Sequence, residues 1–326
     1  MQKILIIQTA FIGDVILATP VIEQLHERFP QADIDFLLRK GNESLLRDHP
    51  HLRRVLVRDK SQGKVKSLRQ MLRVVRRERY DLVVNLHRFL SSGLIAGFSR
   101  GREVCGFTKN PLAWRYHHKV PHLIGTVENP VHEVERNLSV VAHLAKRLPP
   151  APMRLYPSAR DEARVRRDHP YYCIAPTSVW FTKQWPAEKW IALIDRLPAA
   201  ADVLLLGAPG DTAGCADIAA KASHPRIEVL AGQLSLLQSA ALMRGAVMNY
   251  VNDSAPLHLA SAMNAPVRAV FLSTVPEFGF GPRSTDGQTV ETTAKLDCRP
   301  CGLHGFKSCP RGHFRCAEIN PERLLH

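Results

Sequence analysis

The sequence lacks any long apolar run, which argues against a membrane-spanning helix. No stretch of its 326 residues approaches the roughly 20 apolar residues that cross a bilayer as a helix. The chain enters a strand pattern at Lys3 without the features of a secretory signal. We therefore expect a cytoplasmic protein, and a hydrophobic content of 45% is enough for two globular cores.

Three fingerprints of common ligand sites are missing as well. The chain contains no G-x-G-x-x-G pattern, no P-loop and no G-x-S-x-G nucleophile elbow. The first of these absences disfavours an NAD site. Any nucleotide site in this chain must therefore be built from other turns.

Acidic residues are few, with 30 Asp and Glu against 44 Lys and Arg, and the formal net charge is +14. Nucleic acid, anionic lipid and phosphorylated substrates would all suit this balance. One segment, 64–80, is predicted to be a helix that buries Val65, Leu68, Leu72 and Val75 and has Glu78 as its one acid. Its basic residues are Lys64, Lys66, Arg69, Arg73, Arg76, Arg77 and Arg79. Solvent, a phosphorylated acceptor or an anionic bilayer could each face them.

More than half of the cysteines lie in one short segment near the end of the chain. Four of the seven cysteines, Cys298, Cys301, Cys309 and Cys316, follow a C-x2-C-x7-C-x6-C spacing, with His304 and His313 between them. This crowding argues against a disulfide framework. Structural zinc or iron is one interpretation and thiols that only pack are the other, and we do not expect a metal because the last two spacings match no standard zinc ribbon.

Apolar strand patterns alternate with helical patterns along almost the whole chain, which predicts an α/β fold with parallel sheets. The Pro-rich, charged segment 148–172 interrupts this alternation. We predict two tandem α/β domains, 1–155 and 156–326. The predicted strands are 3–8, 34–38, 55–58, 82–86 and 104–107 in the first domain, and 172–175, 202–206, 227–230, 247–251 and 267–272 in the second.

The first strand is followed by a turn and a helix predicted over about 15–28. Gly13 lets this turn pass close to a ligand, and Asp14 occupies the place of a helix N-cap. Asp14 is thus either a general base at a cleft or a plain cap.

The segment 250–266 is the strongest candidate for a ligand site. An apolar strand ends there in Asn252-Asp253-Ser254-Ala255, and a short apolar helix follows with His258 one turn inside. Asp253 or Ser254 is predicted to cap that helix, whose free N–H groups would attract an anion.

Two other turns of the second predicted domain carry suitable polar groups. Thr177 and Ser178 follow one strand and Lys183 precedes the next helix, and together these groups would hold a diphosphate. Asp211 follows another strand, where a carboxylate could accept hydrogen bonds from ribose hydroxyls.

Four segments together resemble one enzyme family. FIGDVILATP (11–20), TKQWPAEKW (182–190), NDSAPLHLASAMNAP (252–266) and the cysteine segment (298–319) are similar in order and spacing to the ADP-heptose:lipopolysaccharide heptosyltransferases of glycosyltransferase family 9. The last segment looks most like the heptosyltransferase II branch.

This resemblance implies the GT-B architecture, in which two Rossmann-like domains face each other across a cleft. It implies that the first domain binds the acceptor and the second binds ADP-heptose. Asp14 would be the general base of an inverting transfer, and Lys183 would stabilise the departing ADP. Other donor contacts would come from Thr177, Ser178, Asp211, Leu234, Asp253, Ser254, Ala255 and His258. The family needs no metal or other cofactor for its chemistry.

The same resemblance implies partners, namely a phosphorylated lipopolysaccharide-core acceptor and the cytoplasmic face of an anionic inner membrane. A different acceptor, including a protein, would leave the donor site unchanged. A nucleic-acid-binding protein with a cysteine-rich metal module is a competing hypothesis, but no aromatic stacking platform lies beside the basic segment. A nucleotide sensor without catalysis is a third.

Overall fold

The structure is a computed structural model that describes residues 1–61, 63–145 and 148–326. These residues form two compact units. The first unit comprises Met1–Ile124 and Val131–Tyr156, and the second comprises Gly125–Pro130 and Pro157–His326. Each unit has its own six-stranded parallel sheet flanked by helices, as the α/β prediction requires.

The sheet of the first unit has the strand order β3-β2-β1-β4-β5-β6, and all neighbouring strands are parallel. Residues Ile4 to Ile7 of its central strand are fully buried, because helices cover both faces of a parallel sheet. The strands are β1 (Lys3–Ile7), β2 (Asp33–Arg39), β3 (Arg54–Arg58), β4 (Leu82–Asn85), β5 (Glu103–Phe107) and β6 (His118–Val120). The helices are α1 (Ile12–Ile16), α2 (Thr19–Arg28), α3 (Lys64–Glu78), α4 (Leu90–Gly97) and α5 (Glu133–Ser139).

The second sheet follows the same plan, with the order β12-β11-β10-β7-β8-β9. Trp185 and Trp190 pack edge to face in its hydrophobic core, with ring centroids 5.0 Å apart. Its strands are β7 (Tyr171–Ala175), β8 (Asp202–Leu205), β9 (Ile227–Val229), β10 (Met248–Asn252), β11 (Val267–Phe271) and β12 (Gly287–Glu291). Its helices are α6 (Ala159–Val165), α7 (Ala187–Ile194), α8 (Thr212–Lys221), α9 (Leu236–Gly245) and α10 (Ala255–Ala262).

Each sheet has one point where the strand order reverses. In the first unit it lies between β1 and β4, and in the second between β7 and β10. The loops that leave the carboxyl ends of these strand pairs diverge to opposite faces of the sheet, which opens a crevice where α/β folds bind ligands. The two crevices are therefore the first places to look for a site.

Three helical predictions need correction. The helix expected over 15–28 is two helices, α1 and α2, and the first begins at Ile12, three residues before the predicted start. The sequence also predicts a helix over 132–147, but this helix ends at Ser139, and the last two residues of the predicted range lie outside the described residues. The edge strands β6 and β12 have weak apolar patterns and were not predicted.

The basic helix α3 also buries a different face from the one predicted. Ser67, Met71 and Val75 are buried, whereas Val65 is 61% exposed. Spacing by four residues from Val75 explains this face, because small Ser67 fits where the helix approaches the sheet. The helix remains strongly basic, and none of the helices in the described part of the chain is long and apolar enough to span a bilayer.

Candidate active site

A buried ion pair lies at the strand-order reversal of the second sheet. The Lys183 Nζ atom is 2.5 Å from the Asp253 Oδ2 atom, and the two side chains are 13% and 5% exposed. The Thr274 hydroxyl donates to the same carboxylate oxygen at 2.6 Å. Lys183 follows β7, Asp253 follows β10 and Thr274 follows β11, so three adjacent carboxyl ends build this one cluster.

Asn252 explains why the turns after β7 and β10 are held together. Its side chain is fully buried, and its Oδ1 atom accepts from the Trp185 backbone N–H at 3.0 Å. Its Nδ2 group donates to the Pro176 carbonyl at 2.8 Å. One amide thus ties both ends of the 176–185 loop, which carries Lys183, to the end of β10.

Thr182 provides a second anchor for the same loop. Its hydroxyl is buried and accepts hydrogen bonds from the Ser273 hydroxyl at 3.0 Å and from the Phe306 backbone N–H at 2.8 Å. The Thr182 backbone N–H donates to the Phe306 carbonyl at 3.1 Å. The residue beside Lys183 is therefore fixed by β11 and by the cysteine segment.

The start of α10 differs in detail from the prediction. Ser254 occupies the N-cap position, but its side chain makes no capping hydrogen bond, and Asp253 is engaged by Lys183. Ala255 begins the helix and is partly exposed. His258 is only 5% exposed, and its ring lies 6.4 Å from that of Phe280.

The remaining predicted donor residues lie along the same carboxyl edge. Thr177 and Ser178 follow β7 and are half-buried, and the Ser178 carbonyl accepts from the Gln184 side chain at 2.8 Å. Asp211 follows β8, where its carboxylate accepts from the Ala208 backbone N–H at 2.7 Å and so closes its own turn. Leu234 follows β9 and is half-buried.

In the first unit, Asp14 lies in α1, close to the reversal point beside β1. It occupies the third helical position rather than the predicted N-cap, which is Phe11. Its carboxylate accepts from the Phe11 backbone N–H at 3.0 Å. The helix starts earlier than predicted, so Asp14 lies in its first turn. From there its carboxylate accepts a hydrogen bond from the backbone N–H of the N-cap residue, as the third helical residue does in a capping box.

A second carboxyl group near Asp14 was not predicted. Glu133, at the start of α5, is 6% exposed, and burial raises its pKa to about 7. The nearby Arg136 opposes this pKa shift, whereas the charge of Asp14 adds to it. The Arg136 Nε group donates to the Glu133 carboxylate at 2.7 Å. The prediction of a helix over 132–147 gave no sign of this cluster.

A group of cations lies at the carboxyl edge of the first sheet. Arg58 ends β3 and is 2% exposed, and its Nε and Nη1 atoms have no hydrogen-bond partner within the described ranges. Burial lowers the pKa of Lys60, and the charges of Arg58 and Arg39 lower it further. Burial lowers the pKa of His87 to about 4, and the positive charges of Lys60 and Arg88 contribute to this shift. The repulsion among these positive charges, which adds to the effect of burial on both pKa values, would favour a bound anion.

Arg39, Arg58 and His87 were not predicted to lie together because they are far apart in the sequence. Arg39 and Arg58 are the last residues of β2 and β3, and His87 follows β4. Parallel pairing brings the three chain segments to one edge. The strand-end positions of Arg39 and Arg58 were a signal that could have been used, because ligands in such sheets bind at carboxyl ends.

Comparison with known proteins gives this geometry a family context. Residues 68–301 match the model of glycosyltransferase family 9 (heptosyltransferase). Lipopolysaccharide heptosyltransferase 3 of Escherichia coli is 30% identical over 285 residues, which cover 81% of this chain and 82% of that protein. Both Lys183 and Asp253 fall inside the matched span.

Two solved structures share the fold. The glycosyl transferase family 9 protein of Veillonella parvula superposes with a TM-score of 0.84 at 18% identity and covers 99% of this chain and 95% of its own. The ADP-heptose lipopolysaccharide heptosyltransferase II of Escherichia coli gives a TM-score of 0.80 at 22% identity, with 99% and 96% covered. The predicted GT-B class, with two Rossmann-like units, is thereby confirmed.

Proposed function

Because the chain belongs to glycosyltransferase family 9, the heptosyltransferase family, we propose that it transfers heptose from ADP-heptose to the inner core of lipopolysaccharide. The names of the relatives supply the donor and the acceptor of this proposal. The observation that carries it is the buried pair of Lys183 and Asp253 at the reversal point of the second sheet. A lysine held there by a carboxylate is prepared to meet a diphosphate.

The donor would bind to the second unit. Lys183 would contact the diphosphate and stabilise the negative charge that grows on the departing ADP, with the Thr177 and Ser178 turn beside it. The first N–H groups of α10, at Ser254 and Ala255, would face the phosphates, and His258 would support that helix start from beneath. Asp211 would lie near the ribose and Leu234 near the adenine, as the positions after β8 and β9 suggest.

The reaction itself would use a carboxylate of the first unit. Asp14 would accept the proton of the acceptor hydroxyl while that oxygen forms a bond to the anomeric carbon. The bond from this carbon to the ADP oxygen would break in the same step, so the anomeric configuration inverts and no covalent enzyme intermediate forms. The transfer would need neither a metal nor a dissociable cofactor.

The acceptor would be anionic, and the cations of the first unit support this part of the proposal. The buried Arg58 guanidinium, with Lys60 and Arg39 beside it, suits a phosphate or carboxylate group. The basic helix α3 would add an attraction to anionic lipid at the cytoplasmic face of the inner membrane. We propose lipid rather than nucleic acid as the macromolecular surface, since the acceptor is itself lipid-linked.

The branch within the family sets which heptose is added. The cysteine segment favours a heptosyltransferase II-like role, in which heptose is added to a heptose already on the core. The 30% identity to a heptosyltransferase 3 favours a later acceptor instead. We propose the first role, and the acceptor that supports turnover distinguishes the two.

The test is ADP release from ADP-heptose with a panel of lipid acceptors that end in Kdo, in one heptose or in two heptoses. We expect turnover with the acceptor that carries one heptose, and Asp14→Ala should lower kcat about a hundredfold or more. Asp48→Ala is the matched control, because Asp48 is an exposed acid of the same unit. Turnover only with the two-heptose acceptor would move the chain to the heptosyltransferase 3 role. ADP binding without turnover on any acceptor would refute the acceptor class.

A further inference from the structure

Three side chains of metal-binding type meet at one point in the first unit. Glu103 and Cys105 belong to β5, and His143 lies in the turn that follows α5. Donor atoms of these three residues all lie within 4.8 Å of one another. The cysteines of 298–316 form no such group in the described part of the chain. None of the three residues has a role in the reaction proposed above.

The fold of the first unit explains why these side chains converge. Glu103 and Cys105 are two residues apart in a strand, so their side chains point to the same face of the sheet. Cys105 pairs in register with His118 of β6, and the His118 ring stacks on the His143 ring at a centroid distance of 3.8 Å. Val141 is fully buried and anchors the turn that carries His143. The imidazole is therefore held in place by its own turn and by β6.

The distances among the three donor atoms match those of a metal site. The His143 Nε2 atom is 2.8 Å from the Glu103 Oε1 atom. The Cys105 sulfur is 3.5 Å from that oxygen and 3.8 Å from that nitrogen. Just above the plane of this triangle, one ion reaches the nitrogen and the oxygen at about 2.0–2.1 Å and the sulfur at about 2.3 Å, which are the bond lengths of zinc. No side chain has to move for this.

The arrangement differs from a catalytic relay of thiol, histidine and carboxylate. In such a relay the nucleophile and the carboxylate contact different nitrogens of the ring. Here both Cys105 and Glu103 face Nε2 of His143, and the thiol and the imidazole share one carboxylate oxygen. Three donor atoms that surround one centre suit a cation at that centre, whereas a relay needs its members in a line.

The chemical types of the donors point to zinc. Thiolate, imidazole and carboxylate are the side-chain groups that bind zinc in proteins, and zinc does not oxidise the thiolate. One thiolate and one carboxylate balance the charge of a divalent ion while the imidazole is neutral, so the complex has no net charge. A neutral complex suits the fully buried Cys105. The side chains of His143 and Glu103 are 21% and 29% exposed, so an ion can enter from solvent.

We propose that Glu103, Cys105 and His143 bind one structural zinc ion, with a water molecule as the fourth ligand. On binding, the Cys105 thiol would release its proton to solvent and form the zinc–sulfur bond, and neither zinc nor sulfur would change oxidation state. The ion would tie β5 to the turn after α5 and so stabilise the first unit. It would take no part in the transfer of a sugar, so this inference does not depend on the proposed function.

The first measurement is zinc binding to the full chain, reduced, stripped of metal and titrated against a competing chelator. We expect one site with a dissociation constant below about 1 µM, and Cys105→Ser and His143→Gln should each weaken it about a hundredfold or more, because two protein ligands remain. Cys309→Ser is the matched control, since it removes a thiol of the cysteine segment, and it should bind zinc as the native chain does. Unchanged binding by Cys105→Ser, loss of the site in Cys309→Ser, or no binding by the native chain would each overturn the proposal.

The second measurement does not depend on the folding of a substituted core residue. Cobalt bound to the native chain and to Cys309→Ser should give a charge-transfer band between sulfur and cobalt, because one ligand is a thiolate. Zinc should slow amide hydrogen exchange in β5 and in the turn at His143 about tenfold or more, and a chelator should reverse this. Cobalt bound without the sulfur band, or slower exchange confined to residues 298–316, would refute the site. A chain that binds zinc in this way and transfers no heptose would refute the proposed function and leave the zinc site standing.

Discussion

The buried pair of Lys183 and Asp253 predicts a large loss of stability when its lysine is removed. Lys183→Met keeps most of the side-chain volume and removes the charge that lies 2.5 Å from the Asp253 carboxylate. Asp253 would then be left 5% exposed with the Thr274 hydroxyl as a remaining partner. Breaking such a buried pair costs about 3–5 kcal/mol, because one charge stays buried without its counterion.

The second unit contains a matched control for this change. Lys221 and Asp217 form a pair of similar length, 2.7 Å, but their side chains are 62% and 53% exposed. Lys221→Met should therefore cost only about 0–1 kcal/mol. The double variant Lys183→Met, Asp253→Asn should recover part of the loss, since it removes both charges.

Urea unfolding can be followed by tryptophan fluorescence, because three of the four tryptophans, including the buried Trp185 and Trp190, lie in the unit that contains both pairs. We expect a coupling energy between Lys183 and Asp253 above about 1.5 kcal/mol in a double-mutant cycle. A cost for Lys183→Met no greater than that for Lys221→Met would refute the buried-charge reasoning. The same variant should bind ADP about 10- to 100-fold more weakly if Lys183 also contacts the diphosphate.

Three further predictions concern the first unit. Arg58→Gln should raise the acceptor KM about tenfold or more and leave ADP affinity unchanged. Arg102 is an exposed cation at the opposite edge of the sheet, so Arg102→Gln should alter neither quantity. Equal effects of the two substitutions on the acceptor KM would contradict an acceptor role for Arg58. Glu133 has a raised pKa, so its contribution to stability is complete below about pH 4.5 and is lost as the pH rises through about 7. Glu133→Gln should therefore gain stability relative to the native chain across this window, and parallel pH profiles of the urea midpoints would count against the shift. Replacing Arg69, Arg73 and Arg76 together should reduce binding to vesicles containing anionic lipid without affecting ADP, and unchanged vesicle binding would remove α3 from the membrane surface.

Much of the fold could be predicted because the relevant signals are local. Ten of the strands follow apolar runs that end in turns, and parallel pairing follows from their alternation with helices. The family resemblance was carried by short segments and is confirmed by the match over residues 68–301. The edge strand β6 escaped prediction because three residues with two polar side chains, His118 and Lys119, carry no apolar pattern.

The candidate site was less predictable, since its contacts join residues that are distant in the sequence. Lys183 and Asp253 were each identified as donor ligands, but nothing in their local sequences indicated that they would pair with each other. Their meeting depends on β7 and β10 being neighbours in the sheet. Arg58 illustrates the same limit, because it resembles any strand-end arginine until the sheet brings Arg39 and His87 to the same edge.

Two guanidinium nitrogens of Arg58, Nε and Nη1, have no hydrogen-bond partner among the residues that the structure describes, which has a practical consequence for anyone who handles the protein. Buried nitrogen atoms that lack a partner lower the stability of the folded state, and an oxyanion bound beside them would offset part of that loss. Phosphate or sulfate in a buffer would then behave as a weak ligand rather than as an inert salt. Melting temperatures and acceptor KM values measured in phosphate would both be higher than those measured in a chloride buffer of equal ionic strength.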